Sequence, residues 1–174
     1  MRAAGGRGFT LLEVLVVIGI VAIVVGLLLP VFSKAKAAER AIECVSHLRG
    51  IAQGFHSFEQ ANGRRLPDPA ETGAPWEQLL AEHVSPQAFR CPADFDVYPM
   101  IWSSYDWRDT GVEETTLAGR RIGELRRSGI AVAYDALPSW HAKRRINVAY
   151  WDGSVTSVDQ GEFFAELERP VTGP

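Results

Sequence analysis

The sequence is poor in the side chains that most often bind metals or act as nucleophiles. Its 174 residues include two cysteines, Cys44 and Cys91, and four histidines. The cysteines form no Cys-x-x-Cys pair, so their spacing predicts no metal site. The sequence also lacks the His-Glu-x-x-His, Gly-x-Ser-x-Gly and phosphate-loop patterns of common enzyme classes. We therefore expect no catalytic residue, no cofactor and no enzymatic activity.

A strongly basic segment is also missing. The formal net charge is −3, and the short basic clusters are interspersed with acidic residues. Domains that bind nucleic acid usually carry a basic patch or stripe, so no nucleic-acid partner is expected. The sequence has no internal repeat, and the roughly 140 residues after position 32 are enough for one globular domain.

One long apolar run dominates the N-terminal part of the chain. From Val14 to Phe32 there is no charged or strongly polar side chain. A helix needs about 20 apolar residues to cross a bilayer, and this run has nearly that length. The pattern predicts a transmembrane helix.

Glu13 is the exception at the start of this run. A carboxylate there costs several kcal/mol in a membrane unless a partner neutralises it. If the chain is cut between Gly8 and Phe9, the new ammonium group of Phe9 lies one helical turn from Glu13. In a stack of identical subunits, the Glu13 carboxylate of one meets the Phe9 ammonium of its neighbour, and burial strengthens that pairing.

Two other interpretations of this segment fit less well. A secretory signal has a basic start, an apolar run of about 7–15 residues and an Ala-x-Ala site. Ala35-Lys36-Ala37 imitates such a site, but the apolar run is too long. A plain single-span anchor accounts for the hydrophobicity and leaves Glu13 unexplained.

The hexapeptide Gly8-Phe9-Thr10-Leu11-Leu12-Glu13 resembles the processing site of type IV prepilins and type II secretion pseudopilins. The resemblance implies that prepilin peptidase cleaves after Gly8 and N-methylates Phe9. It also implies an assembly role for Glu13 and a helix kink at Pro30. It covers about the first third of the chain and is most specific over Gly8–Pro30.

This resemblance carries an expected function. The chain is expected to be a structural subunit of a type II secretion pseudopilus or type IV pilus, polymerised through its N-terminal helix. The implied partners are prepilin peptidase, other pilin or pseudopilin subunits, an inner-membrane assembly platform and membrane lipid. The alternative is a minor or tip subunit whose globular domain binds a secreted substrate or a surface ligand.

The expected localisation follows from the same resemblance. The subunit spans the bacterial inner membrane once, with a cytoplasmic N-terminus and its C-terminal domain outside the cytoplasm. It then enters a periplasmic or extracellular filament. The predicted domains are a cleaved leader (1–8), a transmembrane and assembly helix (9–32) and a pilin-like globular domain (33–174).

The predicted fold class is α+β and pilin-like, with a long helix packed on a small antiparallel sheet. Apolar residues recur at steps of three and four from Ala38 to Phe58, so the helix should continue beyond the membrane. Asn62-Gly63 predicts its end. The clearest strand signal is a hairpin over 146–158 with an Asp152-Gly153 turn. The other predicted elements are a loop (66–73), a short helix (75–82), an irregular segment (85–96), strands (98–105 and 129–134), a surface loop with one helical turn (106–127) and a closing helix (161–167).

Cys44 and Cys91 have two possible states. Exported domains lie in oxidising surroundings, which favours a Cys44–Cys91 disulfide. The alternative is a pair of buried thiols that pack as small apolar groups.

A weaker resemblance lies in the C-terminal half. Some pilin-like proteins have a His followed, after about nine residues, by Asp-Gly in a hairpin, and His141 precedes Asp152-Gly153 by a slightly longer spacing. Cys91-Pro92-Ala93-Asp94 resembles a Cys-Pro-x-Asp element of the same proteins. We predict a structural hydrogen bond between His141 and Asp152.

Two further groups have competing interpretations. Asp94 and Asp96 resemble a cation site, since related pseudopilins bind calcium in a C-terminal loop, but a turn role is favoured because calcium needs more oxygen ligands. An aromatic group is predicted to form sheet core and cross-strand pairs rather than a recognition surface. Its members are Trp102, Tyr105, Trp107, Trp140, Tyr150 and Trp151.

Overall fold

The computed structural model describes residues 10–125, 129–141 and 144–172. The chain divides into two compact units, residues 1–39 and 40–174. The described part of the first unit is the beginning of a long helix. The second unit contains the rest of that helix, a four-stranded sheet and several short helices. The architecture is the predicted α+β, pilin-like fold, with a long N-terminal helix packed on an antiparallel sheet.

Helix α1 runs from Leu11 to Ala61. Gly63, just beyond its end, has a φ of 62°, a left-handed conformation that glycine adopts at little cost. The predicted stop is therefore confirmed. Within the second unit, most buried residues of α1 recur at steps of three or four and so lie on one face. The apolar members are Cys44, Leu48, Ile51, Ala52 and Phe55.

The sheet is an antiparallel meander in the order β1-β2-β3-β4. Its strands are Tyr105–Trp107, Ala131–Asp135, Ile146–Tyr150 and Val155–Val158. Strands β3 and β4 form the predicted hairpin, and Gly153 in its turn has a φ of 83°. A register irregularity between Ala131 and Ala133 interrupts the pairing of β2 with β3.

Four short helices complete the second unit: α2 (Pro69–Thr72), α3 (Trp76–Leu79), α4 (Tyr98–Ile101) and α5 (Gln160–Leu167). Single 3-10 turns lie at Pro86–Phe89, Ile122–Glu124 and Pro138–Trp140. The strand predicted over 98–105 is wrong for most of its length. Pro99 lies in the first turn of α4, a position that suits proline, and β1 begins only at Tyr105.

The main core forms where α1 meets the sheet and the segment after α2. The Phe55 ring stacks at 5.9 Å from Trp76 and 5.4 Å from Trp107, and Phe89 meets Trp76 edge-on at 5.3 Å. Such aromatic pairs add about 0.5–1.5 kcal/mol each beyond the area that they bury. These rings come from four separate parts of the chain and hold them together.

Arg108 connects the end of β1 to α5. It is fully buried, and its guanidinium donates to the carbonyls of Thr115 (2.9 Å) and Glu166 (3.0 Å). It also lies 3.3 Å from the Glu166 carboxylate. Because a buried cation needs such compensation, these contacts fix where α5 packs.

Gly54 tests the close packing of α1. A Cβ added at Gly54 would lie 2.0 Å from Cγ2 of Val84, whereas one at Gly50 would meet nothing within 4 Å. We expect Gly54→Ala to lower the free energy of unfolding by about 1–3 kcal/mol, because overpacking outweighs the better helix propensity of alanine. Gly50→Ala should raise it by about 0.5–1 kcal/mol.

Chemical denaturation of the full chain and both variants in detergent measures the two effects. Stabilisation by Gly54→Ala equal to that by Gly50→Ala would contradict the close approach of α1 to Val84.

Candidate functional site

Residues at the start of α1 carry the prepilin resemblance. Gly8 and Phe9 lie outside the described residues. The Glu13 backbone N–H donates to Thr10 Oγ1 (3.2 Å), and the Thr10 backbone N–H donates to Glu13 Oε2 (3.3 Å). This reciprocal pair is a capping box, which satisfies backbone N–H groups at a helix start. The Glu13 carboxylate is therefore hydrogen-bonded within its own chain.

The first unit has no core among its described residues. Every described side chain from Thr10 to Glu39 is exposed, including seventeen large apolar ones between Leu11 and Phe32. An 18-residue window of α1 has a mean hydropathy of 3.2 and no buried residue, so α1 is long and apolar enough to cross a membrane. At about 1.5–3 kcal/mol for each buried side chain, the segment gains on the order of tens of kcal/mol by leaving water.

Pro30 lies within this exposed part of α1. Proline has no backbone N–H, so one helical hydrogen bond is missing there. The Ser33 hydroxyl donates to the Pro30 carbonyl (3.0 Å), and the helix continues through both residues. The kink at Pro30 stays a prediction.

In the second unit, a disulfide joins Cys44 on α1 to Cys91, which follows the Pro86–Phe89 turn. The two Cα atoms are 5.2 Å apart, and both cysteines are fully buried. The cysteines are 47 positions apart, a separation for which loop-closure entropy gives a stabilisation of about 4 kcal/mol. The bond ties the N-terminal end of this unit's part of α1 to a segment without regular structure.

The Asp94 carboxylate accepts hydrogen bonds from the chain that follows Cys91. Its Oδ1 accepts from the backbone N–H groups of Asp96 (2.9 Å) and Val97 (2.8 Å). Its Oδ2 accepts from the Tyr98 N–H (2.8 Å) and the Ser104 hydroxyl (2.6 Å). Burial acts to raise the pKa of Asp94, but these hydrogen bonds prevail and hold the pKa below its ordinary value. The carboxylate thus nucleates a turn, which is the interpretation that the sequence favoured over a cation site.

His141 lies beside Asp135 and not beside Asp152. Its Nε2 is 3.2 Å from Asp135 Oδ2 and 4.0 Å from the Cys91 sulfur. Asp152 instead accepts from the Ser154 N–H (2.9 Å) inside the hairpin turn. The Ser154 hydroxyl and N–H hold the pKa of Asp152 below its ordinary value. The predicted His141–Asp152 bond is therefore wrong.

We call Cys44, Cys91, Asp135 and His141 the cystine centre. Tyr105 borders it, with its hydroxyl donating to the Cys44 carbonyl at 3.4 Å. Burial, followed by the negative charges of Asp135, Glu43 and Asp94, raises the pKa of Tyr105 far above its ordinary value. The Tyr105 hydroxyl therefore stays protonated and acts as a donor.

An apolar patch lies on the surface around α4. Its members are Phe95, Met100, Ile101 and Trp102, and the side chain of Trp102 is 72% exposed. Trp102 also has a φ of 62°, a left-handed conformation that costs a bulky residue on the order of 1–3 kcal/mol. The prediction that the aromatic group is core holds for Tyr105 and Trp107, which are buried, and is wrong for Trp102.

Together, the exposed apolar helix, its capped acidic start and the second unit make up a pilin-like α+β fold with a helix long and apolar enough to span a membrane. Residues 5–29 match the family model described as the prokaryotic N-terminal methylation motif. The resemblance to the prepilin-type cleavage and methylation segment is thereby confirmed over these residues. No curated protein and no solved structure matches the chain. The C-terminal resemblance at His141 and Asp152-Gly153 stays a prediction.

Sequence reasoning missed two features of these sites. The Thr10-x-x-Glu13 spacing is itself the signature of a capping box and was available in the sequence. The partner of His141 was not marked by any motif: Asp135 ends β2 six positions earlier, and the turn at Pro138–Trp140 lies between the two residues.

The role of Asp94 predicts a pH-dependent loss of stability. Asp94→Asn should lower the free energy of unfolding at neutral pH by about 1.5–3 kcal/mol, since hydrogen bonds to a charged group are lost. The folded-state pKa is depressed, so this contribution is complete above the unfolded value of about 3.9 and disappears as the pH falls through the folded value. Denaturation of the full chain at pH 7 and pH 3 measures the difference.

Asp96→Asn is the matched control, because Asp96 is exposed and should change stability by less than about 0.5 kcal/mol. An Asp94→Asn effect of equal size at both pH values would contradict the charge-assisted turn.

Proposed function

We propose that the chain is a structural subunit of a type II secretion pseudopilus or a type IV pilus, processed by prepilin peptidase and polymerised through α1. The observation that carries the proposal is the fully exposed apolar part of α1 over 14–32, which overlaps the methylation motif at residues 5–29. A helix of this kind needs either lipid or other copies of itself around it. The helix of a filament subunit is surrounded by lipid before assembly and by other copies of itself after assembly.

The proposed sequence of events begins in the membrane. Arg2 and Arg7 keep residues 1–8 in the cytoplasm, in line with the positive-inside tendency. Hydrolysis of the Gly8–Phe9 peptide bond by prepilin peptidase releases the leader, and methylation of the Phe9 amine follows. The spanning helix stores the subunit in the inner membrane, with the second unit outside the cytoplasm, until an assembly platform extracts it.

Glu13 sets the register of the filament in this proposal. In the free subunit its carboxylate bonds to Thr10, which lessens the cost of holding a charge at the membrane. In the filament, the Phe9 ammonium of a neighbour takes over as a charged partner. In a low dielectric, the interaction of Glu13 with a charged ammonium group is stronger than its hydrogen bonds to neutral Thr10. Replacing the Thr10 bonds by this ion pair therefore favours assembly.

We also propose a non-catalytic role for the second unit. An open hollow of about 550 Å³ is lined by Glu43, His47 and Arg90 among others. The Glu43 carboxylate and the His47 ring lie 4.0 Å apart, and the described residues that line the hollow include no serine, threonine or cysteine. Acid–base pairs usually act on a nucleophile or substrate held between them, so this arrangement supports a non-catalytic role.

Processing is the first test. The full chain expressed with a prepilin peptidase should yield a product that begins at N-methylated Phe9, as read by intact mass and N-terminal sequencing. Gly8→Leu should block cleavage, because a bulky side chain replaces the small residue at the scissile bond, whereas Gly5→Leu should be cleaved normally. A product that begins near Ala38, or an uncut wild-type chain, would refute the proposal.

Assembly is tested separately at Glu13. Glu13→Ala should insert and be cleaved as the wild type is, yet its recovery in sheared filaments should fall by tenfold or more. Loss of one partner of a buried ion pair costs roughly 3–5 kcal/mol, and about 1.4 kcal/mol is tenfold. Glu39→Ala is the control, since Glu39 is exposed on α1 outside the apolar run. Normal filaments from Glu13→Ala would exclude the pairing.

A second candidate is a minor or tip subunit that binds a secreted substrate or a surface ligand. The exposed patch of Phe95, Met100, Ile101 and Trp102 favours it, because aromatic anchors are enriched at binding surfaces. The filament preparation separates the two roles. A major subunit accounts for most of the filament mass, whereas a tip subunit is present at a small fraction of it.

A further inference from the structure

We propose that the cystine centre is also a zinc site: when the disulfide is reduced, Cys44, Cys91, His141 and Asp135 together bind a single Zn²⁺ ion. The sequence gives no hint of this, since the cysteines are far apart and the other two residues lie near the C-terminus. The fold brings Cys44, Cys91 and His141 together in the second unit and places the Asp135 carboxylate against His141. Two thiolates, an imidazole and a carboxylate are ligands that zinc prefers.

The distances at the centre suit a tetrahedral ion. Zinc bonds of about 2.0–2.3 Å place neighbouring ligand atoms about 3.3–3.8 Å apart. His141 Nε2 is 3.2 Å from Asp135 Oδ2 and 4.0 Å from the Cys91 sulfur. The ligand atoms of His141, Cys44 and Cys91 all lie within 4.8 Å of one another. Once the two sulfurs separate, three ligands surround the ion, and the Asp135 carboxylate beside His141 turns towards the sulfurs to complete the tetrahedron.

The burial of the centre also suits a structural metal. Both cysteines and the Asp135 side chain are 0% exposed, and that of His141 is 8% exposed. Asp135 Oδ2 accepts from the Asn147 N–H (2.7 Å), which holds the carboxylate in place as outer-shell bonds do at zinc sites. Asp135 Oδ1 is buried and has no hydrogen-bond partner within the described structure. An unsatisfied carboxylate oxygen in such a site is explained if it serves as a ligand.

The chemistry balances without a net change of charge. A thiol or phosphine reductant supplies two electrons to break the S–S bond, and two protons complete the thiols. Zinc binding then releases both protons and forms two Zn–S bonds, one Zn–N bond and one Zn–O bond. With neutral His141, the disulfide form carries the single negative charge of Asp135. The zinc form carries two positive and three negative charges, so its net charge is the same.

Zinc would therefore hold the same parts of the chain together as the disulfide does. In both forms Cys44 on α1 is tied to Cys91. The metal additionally ties both to Asp135 at the end of β2 and to His141. The second unit would thus keep its fold before oxidation, or wherever the surroundings are reducing.

The test uses the purified full chain in detergent, reduced with a water-soluble phosphine in the absence of air, and ZnCl₂ as the probe. The reduced wild type should bind a single zinc ion per chain, and the oxidised wild type should bind none at this centre. His141→Ala should weaken binding by roughly 100-fold, given that even outer-shell losses cost 10–100-fold. His83→Ala is the control, because His83 bonds to Ser57 away from the centre.

Cobalt substitution keeps the test independent of how well the variants fold. Co²⁺ added to the reduced wild type should give thiolate-to-metal charge-transfer absorption and the intense visible bands of tetrahedral coordination. The proposal is overturned if reduced wild type binds no zinc, if the cobalt form lacks thiolate absorption, or if His141→Ala binds zinc as tightly as the wild type.

Discussion

The mutual stack of the Phe55, Trp76 and Trp107 rings, whose centroids lie 5.4–6.3 Å apart, holds the second unit together. It joins helix α1 to the first strand and to a segment that has only short helices of its own. Without it, the single face of α1 that carries Cys44, Leu48 and Ile51 would have little to pack against. The disulfide and Asp94 then fix the neighbouring loop, and their positions depend on where the stack places α1.

Helix α1 is fully exposed in the first unit and buries one of its faces in the second. Residues 40–61 of α1 bury a narrow apolar face in a core, as a helix of a soluble domain does. Residues 14–32 present apolar side chains all round and, like the rest of 10–39, bury none. A helix that is apolar all round is stable only inside lipid or among other helices. The two parts of α1 therefore suit different surroundings.

Much of this was predictable from local patterns, and the exceptions have physical causes. The apolar run, the stop at Asn62-Gly63 and the hairpin at Asp152-Gly153 are local signals, and each appears in the structure. A strand was predicted over 98–105 because its apolar residues imitate a strand pattern. Instead, the Asp94 carboxylate accepts from the Tyr98 N–H and helix α4 begins there. His141 misled because its partner, Asp135, lies six positions back across the Pro138–Trp140 turn, whereas the motif pointed forward to the hairpin at Asp152.

The lengths of the outer strands have a consequence for solution behaviour. Strand β1 has three residues and β4 has four, so neither edge offers a long row of free backbone groups. Long exposed edges invite strand addition and amyloid-like aggregation, and short ones discourage it. The short outer strands therefore discourage uncontrolled strand pairing between copies of the second unit.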